Sequence, residues 1–188
     1  MSPKRPGREG GQTTGHPGLQ YEQLVVILRA ADDLNGRGNT DLLAGILKGA
    51  RESRLRNLGL ESSPVFGAFE QVEIEQIHKR IALAVQSGYL ETAANHPDRL
   101  VLTEAGRKIE RETLVVELLD ELNAILAGGE PYELSFLLEL DRGVILPLMD
   151  QIEATGNADF IPLLEAWEPF ENRKIRSRIN QIITNLSA

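Results

Sequence analysis

The sequence predicts a mostly α-helical protein that carries one short β-hairpin. Apolar residues recur at helical spacing along most of the chain, and strand-like segments occur only between residues 89 and 102. Glycine, proline and asparagine separate the helical segments. The order of helix, basic turn, helix, hairpin and closing helix is that of a winged helix. We therefore predict an α+β winged helix followed by an all-α helical segment.

Local signals support each element of the first part. We predict helices at residues 24–34, 40–48, 52–58 and 70–87, and strands at residues 89–92 and 99–102 around a turn at 95–98. Asn39 or Thr40 can cap the second helix, and Gly49 stops it. Gly88 ends the long helix. Thr103 is expected to cap the closing helix, which runs on into the next segment.

Beyond residue 113 the pattern indicates helices only. Apolar stripes and stop signals predict five of them, around residues 114–127, 131–140, 144–154, 160–167 and 173–186. Residues 145–164 resemble one HEAT-type helical repeat, although a solenoid needs about three repeats. A small helical bundle explains the same residues. Trp167 is interpreted as a core residue.

Charge is distributed unevenly over the 188 residues, whose net charge is −8. Residues 113–188 hold five basic and thirteen acidic side chains, whereas residues 48–56 hold four basic and one acidic. Because local charge governs contact with phosphate, the acidic total does not exclude a DNA-binding surface. Residues 1–18 are rich in Gly, Pro, Ser and Thr and are expected to form a disordered tail, with a weak basic DNA-binding arm as the alternative.

Several classes of activity lack the residues they need. The chain has no cysteine and no phosphate-binding loop, and its three histidines are scattered. We therefore expect no catalytic residues, no cofactor and no metal. No apolar run approaches the length of a membrane span or the core of a signal peptide, which fits a cytoplasmic protein.

Residues 24–112 resemble the RQC domain, the winged helix that follows the motor in RecQ-type DNA helicases. The matching motifs, in order, are Leu47-x-Gly49 with the basic turn through Arg54, Phe66-Gly67, Gly88-Tyr89-Leu90 and Leu102-Thr103-x-x-Gly106. Each motif is common in winged helices, but their order and spacing together are specific. The motor and zinc-binding parts of a RecQ helicase are absent from this sequence, so the whole resembles a stand-alone protein of the RQC-minor type.

The resemblance implies DNA contacts from the basic turn, the long helix and the hairpin. The residues at these places are Lys48, Arg51, Ser53, Arg54, His78, Lys79, His96 and Arg99. In the family the turn holds duplex phosphates, and the hairpin tip meets the end of the duplex. Counting back from Thr103 places His96 at that tip, where it is either a stacking wedge or part of a plain turn.

Three functions follow from this resemblance. The first is non-catalytic recognition of duplex ends, forks or junctions, in DNA repair or recombination, with residues 113–188 binding a protein partner or forming a homodimer. The second is a dimeric winged-helix transcriptional regulator. The third is a protein-interaction adaptor without DNA binding, which the net charge of −8 would fit.

Overall fold

The computed structural model describes residues 18–187 and divides the chain into two compact units. The first unit ends at Glu110, and the second begins at Arg111. The predicted tail lies outside the described residues except for Gly18. Within the described part, no helix is both long enough and apolar enough to cross a membrane.

The described residues form eight α-helices and one two-stranded sheet. The first unit contains α1 (Tyr21–Leu34), α2 (Thr40–Lys48), α3 (Ser53–Asn57), α4 (Ile74–Gln86), β1 (Leu90–Ala93) and β2 (His96–Leu102). Helix α5 (Glu104–Gly128) begins in the first unit and ends in the second. The second unit continues with α6 (Arg142–Thr155), α7 (Ile161–Trp167) and α8 (Arg173–Leu186). The predicted fold class, a mostly α winged helix followed by helices, is confirmed.

The core of the first unit joins three helices to the hairpin. Ile27, Leu43 and Ile77, from α1, α2 and α4 respectively, have no exposed surface. Leu90 and Leu102 face each other across the hairpin and are also buried. Burying one such side chain stabilises the folded state by about 1.5–3 kcal/mol. The cluster therefore keeps α4 and the hairpin packed against the same core.

A pair of glycines joins the end of α2 to the loop before α4. Gly49 has a φ of 73°, and its N–H donates to the Ile46 oxygen at 3.0 Å. The N–H of Ala50 donates to the Gly45 oxygen at 2.9 Å, which completes the bond pair of a Schellman motif. A Cβ on Gly49 would lie 3.0 Å from the Cα of Gly67. Two glycine motifs of the sequence thus form one close backbone contact.

Thr103 joins the end of α4 to the start of α5. Its N–H donates to the Tyr89 oxygen at 3.0 Å, and its hydroxyl donates to the Gly88 oxygen at 2.6 Å. The same hydroxyl oxygen accepts from the N–H of Gly106 at 3.1 Å. A Cβ on Gly106 would approach the Tyr89 oxygen more closely than the 3.0 Å that real Cβ atoms keep. The motifs Gly88-Tyr89-Leu90 and Leu102-Thr103-x-x-Gly106 are therefore joined by hydrogen bonds at the base of the hairpin.

Three predicted elements differ from the observed ones. Helix α4 begins at Ile74, four residues later than predicted, because the N–H of Phe69 donates to the Leu47 oxygen at 2.7 Å and the preceding loop folds onto α2. The hairpin turn is Ala94–Asn95, so β2 begins earlier than predicted. The helix expected from residue 131 does not form, and only a 3-10 helix at Ser135–Glu139 occurs there.

The second unit has its own apolar core. Trp167 is fully buried, as predicted, and its indole N–H donates to Glu171 Oε1 at 3.0 Å. Leu122, Leu148 and Ile179, from α5, α6 and α8, are fully buried in the same cluster. Helices packed around the two buried aromatic residues, Trp167 and Phe160, therefore stabilise residues 111–187.

Candidate nucleic-acid interface

The turn after α2 and the start of α3 each present one arginine to solvent. Arg51 and Arg54 are exposed, and neither side chain makes a hydrogen bond or ion pair within residues 18–187. Ser53, the first residue of α3, is also exposed with its hydroxyl unpaired in that range. These three predicted residues are available to a ligand. Guanidinium groups on a turn suit phosphate oxygens because they donate several hydrogen bonds in one plane.

Lys48 is engaged differently from its neighbours. Its ammonium donates to the Glu70 oxygen at 2.6 Å and to the Val72 oxygen at 2.9 Å. It thereby ties the end of α2 to the loop before α4. A lysine has three donors, so one N–H remains for a phosphate. Contact between Lys48 and DNA stays a prediction. Lys48 also fixes the loop before α4, a structural role that the sequence did not indicate.

The backbone of α3 contributes little to anion binding. The helix has five residues, and the side chain of Glu52 at its start does not cap it. A helix dipole needs aligned peptides over several turns, so the field at this end is weak. Attraction of phosphate to the turn therefore depends on Arg51 and Arg54 rather than on main-chain N–H groups.

Helix α4 carries the next two predicted residues. Lys79 is exposed and unpaired among the described residues. His78 lies with Nε2 3.8 Å from Asp41 Oδ1, which forms an ion pair only when the imidazole is protonated. Lys79 is thus the freer of the two to contact a phosphate.

A cavity that the sequence did not indicate lies beside Lys79. The space, of about 900 Å³, lies between the start of α1 and α4 and includes Tyr21, Gln76, Lys79 and Arg80 in its lining. The Arg80 guanidinium carbon lies 5.0 Å from the centre of the Phe69 ring, a cation–π contact that fixes its position. The only indication of this site in the sequence is the adjacent basic pair Lys79-Arg80. The cavity itself could not be predicted, because it is formed by the packing of α1 against α4.

The hairpin carries the last two predicted residues. His96 does not occupy the tip: it is the first residue of β2 and pairs with Ala93. The register then shifts, because Thr92 pairs with Leu100, so residues 97–99 have no partner on β1. His96 and Arg99 are both exposed. The tip itself is Ala94–Asn95, which offers no aromatic ring for stacking.

Other cations of the first unit are held by the protein. Arg37 donates to the main-chain oxygens of Leu34, Asp33 and Leu58. Arg29 Nε lies 2.7 Å from Glu110 Oε1, and Arg56 Nε lies 3.6 Å from Glu61 Oε1. Four predicted cations remain unpaired in the described part of the unit: Arg51, Arg54, Lys79 and Arg99.

Acidic side chains limit how the site can meet a duplex. Glu70, Glu73 and Glu75 lie just before or at the start of α4 and are exposed. Their charges oppose deep insertion of this end of α4 into a groove lined with phosphates. Within residues 18–187, no cluster of His, Asp or Glu side chains has the arrangement of a metal site. The arrangement supports backbone contacts to a polyanion.

Comparison with known proteins identifies the family. The family model of the RQC domain matches residues 21–136. No curated protein matches the chain. RQC domains are non-catalytic winged helices related to RecQ proteins, and they generally bind nucleic acid. The match covers well over half of the 188 residues and includes the basic turn, α4 and the whole hairpin. This chain belongs to the RQC domain family.

Proposed function

We propose that this protein is a non-catalytic, cytoplasmic DNA-binding protein that recognises duplex ends, forks or junctions in DNA repair or recombination. In this proposal residues 19–112 are the DNA-binding domain, and the acidic residues 113–188 bind a protein partner or a second copy. The observation that carries it is a set of four cations whose side chains make no hydrogen bond or ion pair among residues 18–187: Arg51, Arg54, Lys79 and Arg99, on the turn after α2, α3, α4 and the hairpin of an RQC-family winged helix.

An unpaired cation favours DNA binding because it can contact a phosphate without first breaking a contact within the protein. Arg37 and Arg29, by contrast, would lose hydrogen bonds or an ion pair. Base-specific readout has less support, because three glutamates lie just before or at the start of α4 and would repel the phosphates that line a groove. Recognition through backbone and shape is therefore the version of DNA binding that the charges favour.

Four phosphate contacts give a quantitative expectation. Each neutralised phosphate contributes about −0.9 to the slope of log K against log salt concentration. Four contacts predict a slope of about −3.6, or a loss of affinity of roughly 150-fold between 50 and 200 mM salt. A duplex end or fork is expected to bind more tightly than a single strand of equal length.

The test is fluorescence anisotropy with blunt, forked and single-stranded DNA across a salt series. The double variant Arg51→Gln, Arg54→Gln should flatten the slope by about 1.8, because two phosphate contacts disappear. The matched control is Arg173→Gln, Lys174→Gln, which removes the same charge from exposed positions on α8.

Equal effects of the two double variants would show that net charge alone attracts DNA and would remove the basic turn from the site. Equal affinity for duplex ends and single strands would remove the structural preference. If the wild type binds no DNA at low salt, the adaptor function replaces the proposal, which the net charge of −8 would then explain.

A further inference from the structure

We infer that an apolar surface of the second unit binds a partner segment that presents one large apolar side chain flanked by Lys or Arg. We call it the Phe170 surface. Its residues are Tyr132, Leu134, Leu138, Ala166, Trp167 and Phe170. This inference deepens the proposed partner role of residues 113–188 and does not depend on DNA binding by the winged helix.

The Phe170 surface combines exposed apolar side chains with a cavity. Phe170 is 70% exposed and Leu138 is 49% exposed, although both are large apolar residues. They line a cavity of about 180 Å³ together with the buried Trp167. An engineered apolar cavity of about 150 Å³ accommodates benzene, so this space suits one aliphatic or aromatic side chain. A fixed cavity beside an exposed aromatic residue is typical of a hot spot for a binding partner.

A second cavity extends the surface along the unit. Tyr132 lines both the first cavity and a neighbouring one of about 450 Å³. Asn157, Asp159 and Pro162 are among the residues that line the second cavity. A segment anchored beside Phe170 can therefore continue past Tyr132, which favours a peptide of several residues over a small molecule.

The charge around the cavity selects the chemistry of the partner. The two segments that supply its lining, residues 130–141 and 165–171, contain seven acidic side chains and no Lys or Arg. Glu133 lines the cavity, and hydrogen bonds from Ser135 lower the pKa of its carboxyl, so it is ionised at neutral pH. Arg176 Nε lies 3.2 Å from Glu168 Oε1, and among residues 18–187 the other six acids of these segments make no ion pair. Electrostatic complementarity therefore favours a basic partner.

Two other occupants fit less well. A second copy would place the same acidic segments opposite each other across a two-fold axis, which is repulsive. The chain's own residues 1–17 carry Lys4, Arg5 and Arg8, but their one large apolar residue, Met1, precedes these basic residues instead of lying between them. A separate protein that supplies both an apolar anchor and basic flanks meets both requirements.

The test is selection of short random peptides displayed on phage against the full chain, with binding of the enriched peptides measured by anisotropy. We expect a consensus with a large apolar residue between Lys or Arg residues. Phe170→Ser should weaken these peptides at least about tenfold, as for a typical hot spot. The control Val116→Ser removes a similarly exposed apolar residue (57% exposed) from α5 and should have no effect.

Three results would overturn the inference: no enrichment, a consensus without basic flanks, or equal binding to Phe170→Ser. A dimer seen by sedimentation and abolished by Phe170→Ser would assign the surface to a second copy instead. Phe170→Ser is expected to leave DNA affinity unchanged, so failure of peptide binding and failure of DNA binding are distinguishable outcomes.

Discussion

Replacing Gly106 with alanine tests whether the base of the hairpin depends on a close backbone approach. Gly106 lies within the first turns of α5, where alanine is normally better than glycine by about 1 kcal/mol. Helix propensity alone therefore predicts that Gly106→Ala stabilises the protein. The contact with Tyr89 predicts the opposite.

The magnitude follows from the neighbours of the new methyl group. A Cβ at this position would lie 3.1 Å from the Tyr89 carbonyl carbon, 3.2 Å from Leu102 Cδ2, and nearer still to the Tyr89 oxygen. That oxygen accepts from the N–H of Thr103, so it cannot move without breaking a hydrogen bond. Overpacking of this kind costs about 1–3 kcal/mol, and the close approach to a hydrogen-bonded carbonyl oxygen places this site in the upper half of that range, so the cost outweighs the gain from propensity. We expect a net destabilisation of about 1–2 kcal/mol.

Urea denaturation followed by circular dichroism measures this difference. The matched control is Gly128→Ala at the other end of α5, where a Cβ meets no atom of residues 18–187 within 4 Å. The control should be neutral or stabilise by up to about 1 kcal/mol. If Gly106→Ala is as stable as the control, the close approach to Tyr89 does not hold the hairpin and the reasoning is wrong.

Two further changes test individual contacts. Lys48→Met keeps the aliphatic stem but removes both hydrogen bonds to the loop. Urea denaturation should therefore show that the free energy of unfolding falls by about 1–3 kcal/mol. Unchanged stability would contradict the structural role of the ammonium. Hydrogen bonds from Asn185 and Arg178 lower the pKa of Glu153, so its stabilising effect is present above the ordinary pKa of a glutamate and is lost as pH falls through the lowered pKa. Glu153→Gln should therefore be less stable than wild type at neutral pH, with a difference that disappears on acidification; a pH-independent difference in melting temperature would refute this.

The predicted parts of the fold are those that local signals determine. Asn39 and Asn172 cap α2 and α8, and Gly49 ends α2, because each satisfies backbone groups within a few residues of itself. The order of such signals along the chain was enough to predict the winged helix and four of the five helices after it. The RQC motifs were recognisable for the same reason, because each contains a residue that is required where two backbone segments come into close contact.

The remaining parts depend on contacts distant in sequence. Glu70 and Gln71 are good helix formers, yet they lie in turns because Phe69 and Lys48 bind the loop to α2. In the same way, the two acceptors of Lys48 lie 22 and 24 residues further along the chain. The cavity beside Lys79 also depends on tertiary packing. Periodicity and capping rules contain no information about such partners.

The continuity of α5 affects how this protein should be divided for experiments. The helix runs unbroken from Glu104 to Gly128, and the family match extends to residue 136. A fragment that ends at residue 112 would stop inside the helix and leave its final carbonyl groups without their helical donors. It would also lose most of the helix, and short helices are marginal without their length. A truncated winged helix should therefore retain residues through Gly129, so that weak DNA binding by a shorter fragment is not mistaken for a property of the domain.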